Sequence, residues 1–366
     1  ESRESRVESR GSRVEGRESR VQSPESRVQN PEAMVDLTDV GSVTRALVDI
    51  DSTTGREGDC VLWMATLLSD AGYGVVEQVV DGPRRNIYAS FGKADVVLST
   101  HLDCVPPFFP SRAEGDRLFG RGSCDAKGIA ASQVAAVERL RRQGVTNVGL
   151  LFVVGEERGS DGAKTAQGLA SGSKFLINGE PTDNRLGIGT RGALRYTLRA
   201  KGRAAHSSFP ELGESAIEKL IDALIRLRTL ELPEHPVLGR THYTVGIISG
   251  GVAPNVIPPE AEAEVMFRTV ADLPALRAVM TQLAPLVSLE EILNVPPVIL
   301  ETVPGFDTAT FPYTTDIPFL SNWGTPLLYG PGSIHVAHTD NEHVRIADLT
   351  RAVDDYARLA MHLLAQ

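Results

Sequence analysis

The residues best suited to chemistry lie between Ser99 and Gly128, where S-T-H-L-D-C-V-P-P is followed by a polar turn and then G-R-G-S-C-D-A-K-G. His101 and Asp103 stand two residues apart, at or just past the end of the apolar strand 94–98. A period of two points them the same way. An imidazole with a carboxylate beside it is a metal ligand whose tautomer the acid fixes. Two more apolar strands repeat the design. Gly149–Val154 runs into Gly155-Glu156-Glu157, and Lys174–Ile177 runs into Asn178-Gly179-Glu180-Pro181. A solvated charged loop accounts for any one of these strand ends, but not for three in succession. Together they point to a joint metal or catalytic site.

The elements that must hold these residues follow from pattern. Thr38 or Asp39 caps a first helix through about Val48, and a second spans about Gly58 to Ala71 with Leu62, Ala65, Leu67 and Leu68 on its apolar face. Strands near Val75–Val80 and Asn86–Ser90 precede the one feeding His101, and an Ala-rich helix opens at Asp125 and runs to about Arg142. Strands alternating with helices predict an α/β fold with a mostly parallel sheet, whose ligands bind beyond the carboxyl ends of the strands.

After Gly189 the pattern changes. Arg191–Lys201 alternates as in a sheet with one wet face. An amphipathic helix over Glu214–Leu230, strands Tyr243–Ser249 and Ala261–Thr269, and a helix over about Leu273–Leu286 come next. The β-α-β-β-α-β order predicts a small ferredoxin-like α+β sandwich inserted into the larger domain. The boundaries are then residues 34–188 and 298–366 for the main domain and 189–297 for the insert. The main domain resumes at Pro326–Tyr329 and ends in a helix over Ile346–Leu364.

Composition bounds the rest. A net charge of −10 with no basic cluster argues against nucleic acid as a partner. Cys60, Cys104 and Cys124 are too few and scattered for a disulfide framework, so a reducing, cytoplasmic compartment is expected. No apolar run reaches the roughly 18 residues of a membrane span, and no signal peptide is visible. Residues 1–33 carry an irregular E-S-R-V repeat that cannot offset its own ordering entropy and reads as a disordered low-complexity tail.

The motifs S-T-H-L-D-C-V-P, G-R-G-S-C-D-A-K-G, G-E-E-R-G-S-D-G, N-G-E-P-T, A-A-H-S-S, N-V-I-P-P and G-P-G…A-H-T-D-N-E-H-V span nearly the whole globular chain. In that order they resemble the dinuclear-zinc exopeptidase and deacylase family, which includes acetylornithine deacetylase, succinyl-diaminopimelate desuccinylase and glutamate carboxypeptidase. The resemblance implies two Zn²⁺ per subunit, with Co²⁺ as a substitute. His101 and His338 would each bind one, Asp125 would bridge them, and Glu157 and Glu180 would complete the set. It further implies that Asp103 orients His101, that Glu156 is general base and acid, and that His206 reaches an oxyanion across a homodimer interface formed by the insert. Arg191, Asn255 and Arg268 match positions that contact a substrate carboxylate, a task suited to a guanidinium fork.

The chemistry agrees with this assignment. A two-metal site holds its ions about 3.5–4 Å apart, a span that one aspartate bridges. In extended backbone the side chains of Glu156 and Glu157 would point apart, one to metal and one to water. A His/Cys/Cys site through Cys104 and Cys124 would leave Asp125, Glu157 and Glu180 without purpose. His335 is an alternative ligand but lacks the A-H-T-D-N-E context of His338. The expected activity is hydrolysis of an amide in a small N-acyl amino acid. The alternatives are a zinc carboxypeptidase or dipeptidase and, in another class, a non-catalytic ligand-binding homologue.

Overall fold

The computed structural model describes residues 35–169 and 172–366. The tail expected to be disordered lies outside them. Helix α1 (Val40–Val48) starts where the Asp39 carboxylate accepts the Ser42 N–H at 3.1 Å, satisfying one of the donors that a helix start leaves open. Helix α2 (Gly58–Asp70) follows, then strands β1 (Gly74–Asp81), β2 (Arg84–Ser90) and β3 (Val96–His101). Next come α3 (Lys127–Arg142), β4 (Val148–Val153), the short α4 (Asp161–Ala166) and β5 (Phe175–Asn178). The insert supplies β6 (Gly192–Lys201), α5 (Ala216–Arg228), β7 (His242–Gly250), β8 (Glu260–Thr269), α6 (Leu273–Met280) and β9 (Ser288–Val295). Strand β10 (Thr325–Leu328) and helix α7 (Ile346–Leu364) close the chain.

The large sheet has six strands in the order β1-β2-β4-β3-β5-β10. Strands β4, β3, β5 and β10 run parallel, while β2 is antiparallel to its neighbours β1 and β4. Every residue of β3 and β4 is buried, as parallel strands covered on both faces must be. One face packs on α3 and α7, which present Ile129, Val134, Leu349 and Tyr356. The other packs on Trp323, Leu320, Ala163 and Ala166. The mostly parallel α/β fold is therefore as expected from the sequence.

The insert builds a separate antiparallel sheet of four strands, β7-β8-β6-β9, with its own core of Leu194, Leu198, Leu220, Val265, Phe267 and Leu276. Ser215 caps α5 by accepting the Glu218 N–H, the start of an S-x-x-E capping box. Asp272 caps α6, with Pro274 in its first turn. Two details depart from the sequence expectation. The helix expected to reach Leu286 stops at Met280 and continues as a 3₁₀ turn, and β9 supplies a final strand whose position the sequence analysis did not fix. A three-stranded sheet of Leu186–Thr190, Val298–Ile299 and Thr308–Phe311 was also not anticipated.

Candidate metal centre

Register brings the three strand ends together. His101 of β3 lies opposite Val153 of β4, and Ser99 opposite Asn178 of β5, so the residues just beyond Val153 and Asn178 flank the imidazole. His101 is buried, and its Nδ1 lies 3.0 Å from the Asp103 carbonyl and 3.5 Å from the Asp103 carboxylate. With the proton on Nδ1, Nε2 faces Asp125 Oδ1 at 3.1 Å with a lone pair for a cation. The other oxygen of Asp125 lies 3.4 Å from His338 Nε2, and that nitrogen lies 2.9 Å from Glu157 Oε1. Glu180 completes the group from the side of His101.

Two triads of donors emerge. His101, Asp125 and Glu180 form one, and Asp125, Glu157 and His338 the other, and within each the ligand atoms lie no more than 4.8 Å apart. Asp125 belongs to both. Among the described residues Glu180 Oε1 is buried without a hydrogen-bond partner, an orphan acceptor that a cation would satisfy. Burial, then the Glu156 and Asp125 carboxylates, push the Glu180 carboxyl well above its usual range. Burial also raises Glu156 and Glu157. Burial would lower His101, but Asp103 and Asp125 outweigh it and hold the imidazole well above its ordinary value. Hydrogen bonds that His338 donates to Asp125 and Glu157 push its pKa up to about 10. Such crowding of acids around imidazoles inverts when a divalent cation sits among them, because the ion becomes the largest local charge. The donor set fits divalent metal.

Glu156 and Glu157 sit on a 3₁₀ turn, Glu156–Arg158, and not on extended backbone as the sequence suggested. The turn begins at Gly155 in the left-handed region, φ 77°, where a Cβ would come within 2.3 Å of Arg84 Nη2. Arg84 clamps the segment by bonding Asp161 at 2.6 Å and Glu57 at 3.0 Å. Asp103 does more than face His101. Its Oδ1 accepts the Glu156 N–H at 3.1 Å, and its Oδ2 accepts the Glu157 N–H at 3.2 Å and the Thr54 hydroxyl at 3.0 Å. His338 holds a left-handed backbone, φ 63°, unusual for a non-glycine residue and a mark of local constraint.

The remaining sequence candidates lie apart from this cluster, in two places on the insert. Arg191 donates to the Leu238 carbonyl at 3.1 Å and to His242 Nδ1 at 3.0 Å, while His242 is registered opposite Arg268 across β7 and β8. Burial lowers the Arg268 pKa, and among the described residues no carboxylate offsets it. His206 and Asn255 form the other group. His206 bridges to Val256, the Asn255 carbonyl accepts the Ser207 N–H at 3.0 Å, and both side chains are exposed. Lys127 buries its ammonium against the Ile50 carbonyl at 2.6 Å. Cys104 and Cys124 are buried free thiols.

Sequence reasoning passed over several residues of the site. Thr54 and His242 carried no signal. Asp316 is buried, its Oδ1 without a hydrogen-bond partner among the described residues, and burial pushes its carboxyl up to about 6. Glu342 lay inside a motif already singled out, four residues after His338.

Two imidazoles and three carboxylates, one aspartate common to both triads, lie beyond the carboxyl ends of a parallel sheet, a donor set suited to a metal-dependent hydrolase. The sequence profile of peptidase family M20/M25/M40 matches residues 97–362, and the chain belongs to that family. A peptidase M20 domain-containing protein of Schizosaccharomyces pombe is 39% identical over 337 residues, 88% of this chain and 84% of its own. A probable carboxypeptidase of Aspergillus clavatus is 37% identical over 371 residues, 88% of this chain and 82% of its own. Aminopeptidase PepT from Bacillus cereus, at 17% identity, shares the fold with a TM-score of 0.75 over 91% of this chain and 100% of its own. Among the described residues no helix is long and apolar enough to cross a membrane.

Proposed function

We propose that this chain hydrolyses the amide bond joining an amino acid with a free α-carboxylate to a peptidyl or acyl group. The observation that carries the reading is the pair of donor triads sharing Asp125, with Glu156 beside Glu157 on one turn. His101, Asp125 and Glu180 would hold one Zn²⁺ and Asp125, Glu157 and His338 the other, with Co²⁺ as a substitute. When bound, such ions polarise a scissile carbonyl and bring the pKa of a bound water to about 7. Glu156 takes the proton of the attacking water and returns it to the leaving amine. Asp103 holds the peptide N–H groups of that turn, and so aims the base. Arg191, His242 and Arg268 receive the substrate carboxylate, a role supported by the absence of a compensating acid at Arg268. Asn255 sits with His206 at the other end of the insert, where His206 donates to the developing oxyanion.

In this reading residues 34–188 and 298–366 carry the metal centre, and residues 189–297 are a lid and dimerisation domain. His206 then serves the site of a second copy. The support is the outer edge of the insert. Strand β7 ends its sheet with Ile247 and Ile248 56% and 61% exposed, and Ile221 and Ile225 of α5 are exposed as well. An apolar edge of this kind is a pairing surface that a monomer would have to blunt. The three free, buried cysteines support a reducing, cytoplasmic compartment.

A peptide substrate is the preferred form, because relatives 37% and 39% identical over 88% and 87% of this chain carry the name probable carboxypeptidase. Deacylation of an N-acyl amino acid is the second reading, favoured by the motif resemblance to acetylornithine deacetylase and succinyl-diaminopimelate desuccinylase. The test is free-amine release by the metal-loaded protein across dipeptides, longer peptides, C-terminally amidated peptides, and N-acetyl, N-formyl and N-succinyl amino acids. Cleavage of peptides with a free but not an amidated C-terminus supports the carboxypeptidase. Turnover confined to one N-acyl amino acid moves the assignment to a biosynthetic deacylase. No turnover with both metals present would point to the ligand-binding class instead.

A further inference from the structure

The Glu342 carboxylate is buried, yet it touches no donor of either triad. Its Oε1 accepts three peptide N–H groups, from Gly122 at 3.0 Å, Cys124 at 3.2 Å and Asp125 at 3.0 Å. Its Oε2 accepts Arg121 Nη1 at 2.6 Å, with both side chains 1% exposed. Three peptide groups within four residues therefore converge on a single oxygen. Such a concavity of N–H groups binds an anion, and buried N–H groups left without one are rarely tolerated. Here the anion comes from the chain itself, four residues past His338. The Glu342 carbonyl also accepts the Gly120 N–H at 3.2 Å, so main chain and side chain grip the same turn.

The grip joins the two segments whose ligands meet. Asp125 comes from the turn that Glu342 organises, and His338 from the segment that Glu342 ends. Neither residue lies on the large sheet, so strand register does not fix their separation. Arg121 extends the tie, with its Nε donating to the Pro107 carbonyl at 3.1 Å and its guanidinium over the Phe109 ring at 4.9 Å.

We propose that Glu342 is the positioning residue that sets Asp125 between the two cation positions, by holding the peptide N–H of Asp125 from behind while the two carboxylate oxygens face His101 and His338. This rests on the reading of Asp125 as a bridging ligand. Glutamine cannot replace Glu342, because its amide nitrogen would face either the Arg121 donor or the peptide N–H groups. Removing a partner of a metal ligand typically weakens metal binding about 10–100-fold.

The test is Co²⁺ titration of the full-length, metal-stripped protein, read by stoichiometry, by chelator competition and by the visible ligand-field spectrum. Wild type should take up two Co²⁺, and uptake of only one would remove the bridging reading itself, separately from Glu342. E342Q should bind the second Co²⁺ about 10–100-fold more weakly, with an altered spectrum. In the double variant R121M/E342Q the guanidinium is gone, so the amide oxygen can accept the three peptide N–H groups; it separates a positioning role from a charge-partner role and decides the matter should E342Q not fold. It should fold and bind two Co²⁺ with close to wild-type affinity and spectrum. A folded double variant whose second Co²⁺ is about 10–100-fold weaker, or E342Q that binds two Co²⁺ with wild-type affinity and spectrum, would overturn the proposal.

Discussion

Asp103→Asn is the most informative single substitution, because one fully buried carboxylate touches three parts of the site. It accepts the N–H of Glu156 at 3.1 Å and of Glu157 at 3.2 Å with different oxygens, and lies 3.5 Å from His101 Nδ1. Asparagine keeps the shape but only one acceptor oxygen. Whichever way the amide turns, its NH₂ faces one of the two peptide N–H groups. A buried donor left facing a donor costs about 1–3 kcal/mol. If the turn relaxes to relieve that clash, it carries Glu157 off its position, and loss of a ligand's supporting bond weakens metal binding about 10–100-fold, or about 1.4–2.7 kcal/mol. The two estimates overlap, so the expected fall is one to two orders of magnitude in metal affinity, measured by chelator competition. Turnover is then measured with metal in excess. Because Asp103 also holds the Glu156 N–H, kcat should stay depressed at full metal occupancy. D103N with wild-type turnover once saturated would refute a role in aiming the base, and unchanged affinity would refute the role at Glu157.

Glu156→Gln should keep both metals while kcat falls at least about 10²–10⁴-fold, the usual contribution of a general acid–base, and substantial turnover at full metal loading would remove Glu156 from the proton path. The histidines make metal uptake pH-dependent. His338 is pushed up to about 10 by Asp125 and Glu157, so it is protonated at pH 8 in the metal-free chain, and Asp103 and Asp125 outweigh burial to raise His101 as well, whereas a ligand imidazole must be neutral. Calorimetry in buffers of different ionisation enthalpy should therefore show proton release on loading at pH 8. Because folding raises these pKa values, their contribution to metal-free stability is complete below the unfolded value of about 6.5 and is lost as pH climbs toward 10. The stripped protein should accordingly melt lower at pH 9.5 than at pH 7, and a melting point that rises over that interval would contradict the assignment.

The large sheet and the candidate ligands at its edge were legible because both obey local rules. Val96–Leu98 and Val148–Val153 are apolar runs of strand length, and each ends at a polar break where the ligand stands. The insert was legible through periodicity, from the alternation of Arg191–Lys201 and the S-x-x-E start at Ser215. Strand β9 was harder to place. Its S-L-E-E-I-L-N-V carries residues common in helices, and its alternating burial comes from pairing with β6, more than 85 residues away in sequence for each pair. The turn geometry of Glu156 was hidden for a related reason. The 3₁₀ turn depends on Asp103 and on the Arg84 clamp, both brought in by folding.

The candidate metal centre is therefore positioned by two different devices. His101, Glu157 and Glu180 follow the ends of three hydrogen-bonded parallel strands, so their spacing comes with sheet register and is as robust as the sheet. Asp125 and His338 come from irregular segments outside that sheet, and what relates them is a buried carboxylate meeting three peptide N–H groups and one guanidinium. A slip of register would destroy the fold before it moved a sheet-held ligand alone. The loop-held pair has no such protection, since a change at Glu342 or Arg121 leaves every ladder bond of the sheet intact. The metal centre is thus most easily altered, without loss of the fold, at the aspartate shared by both triads.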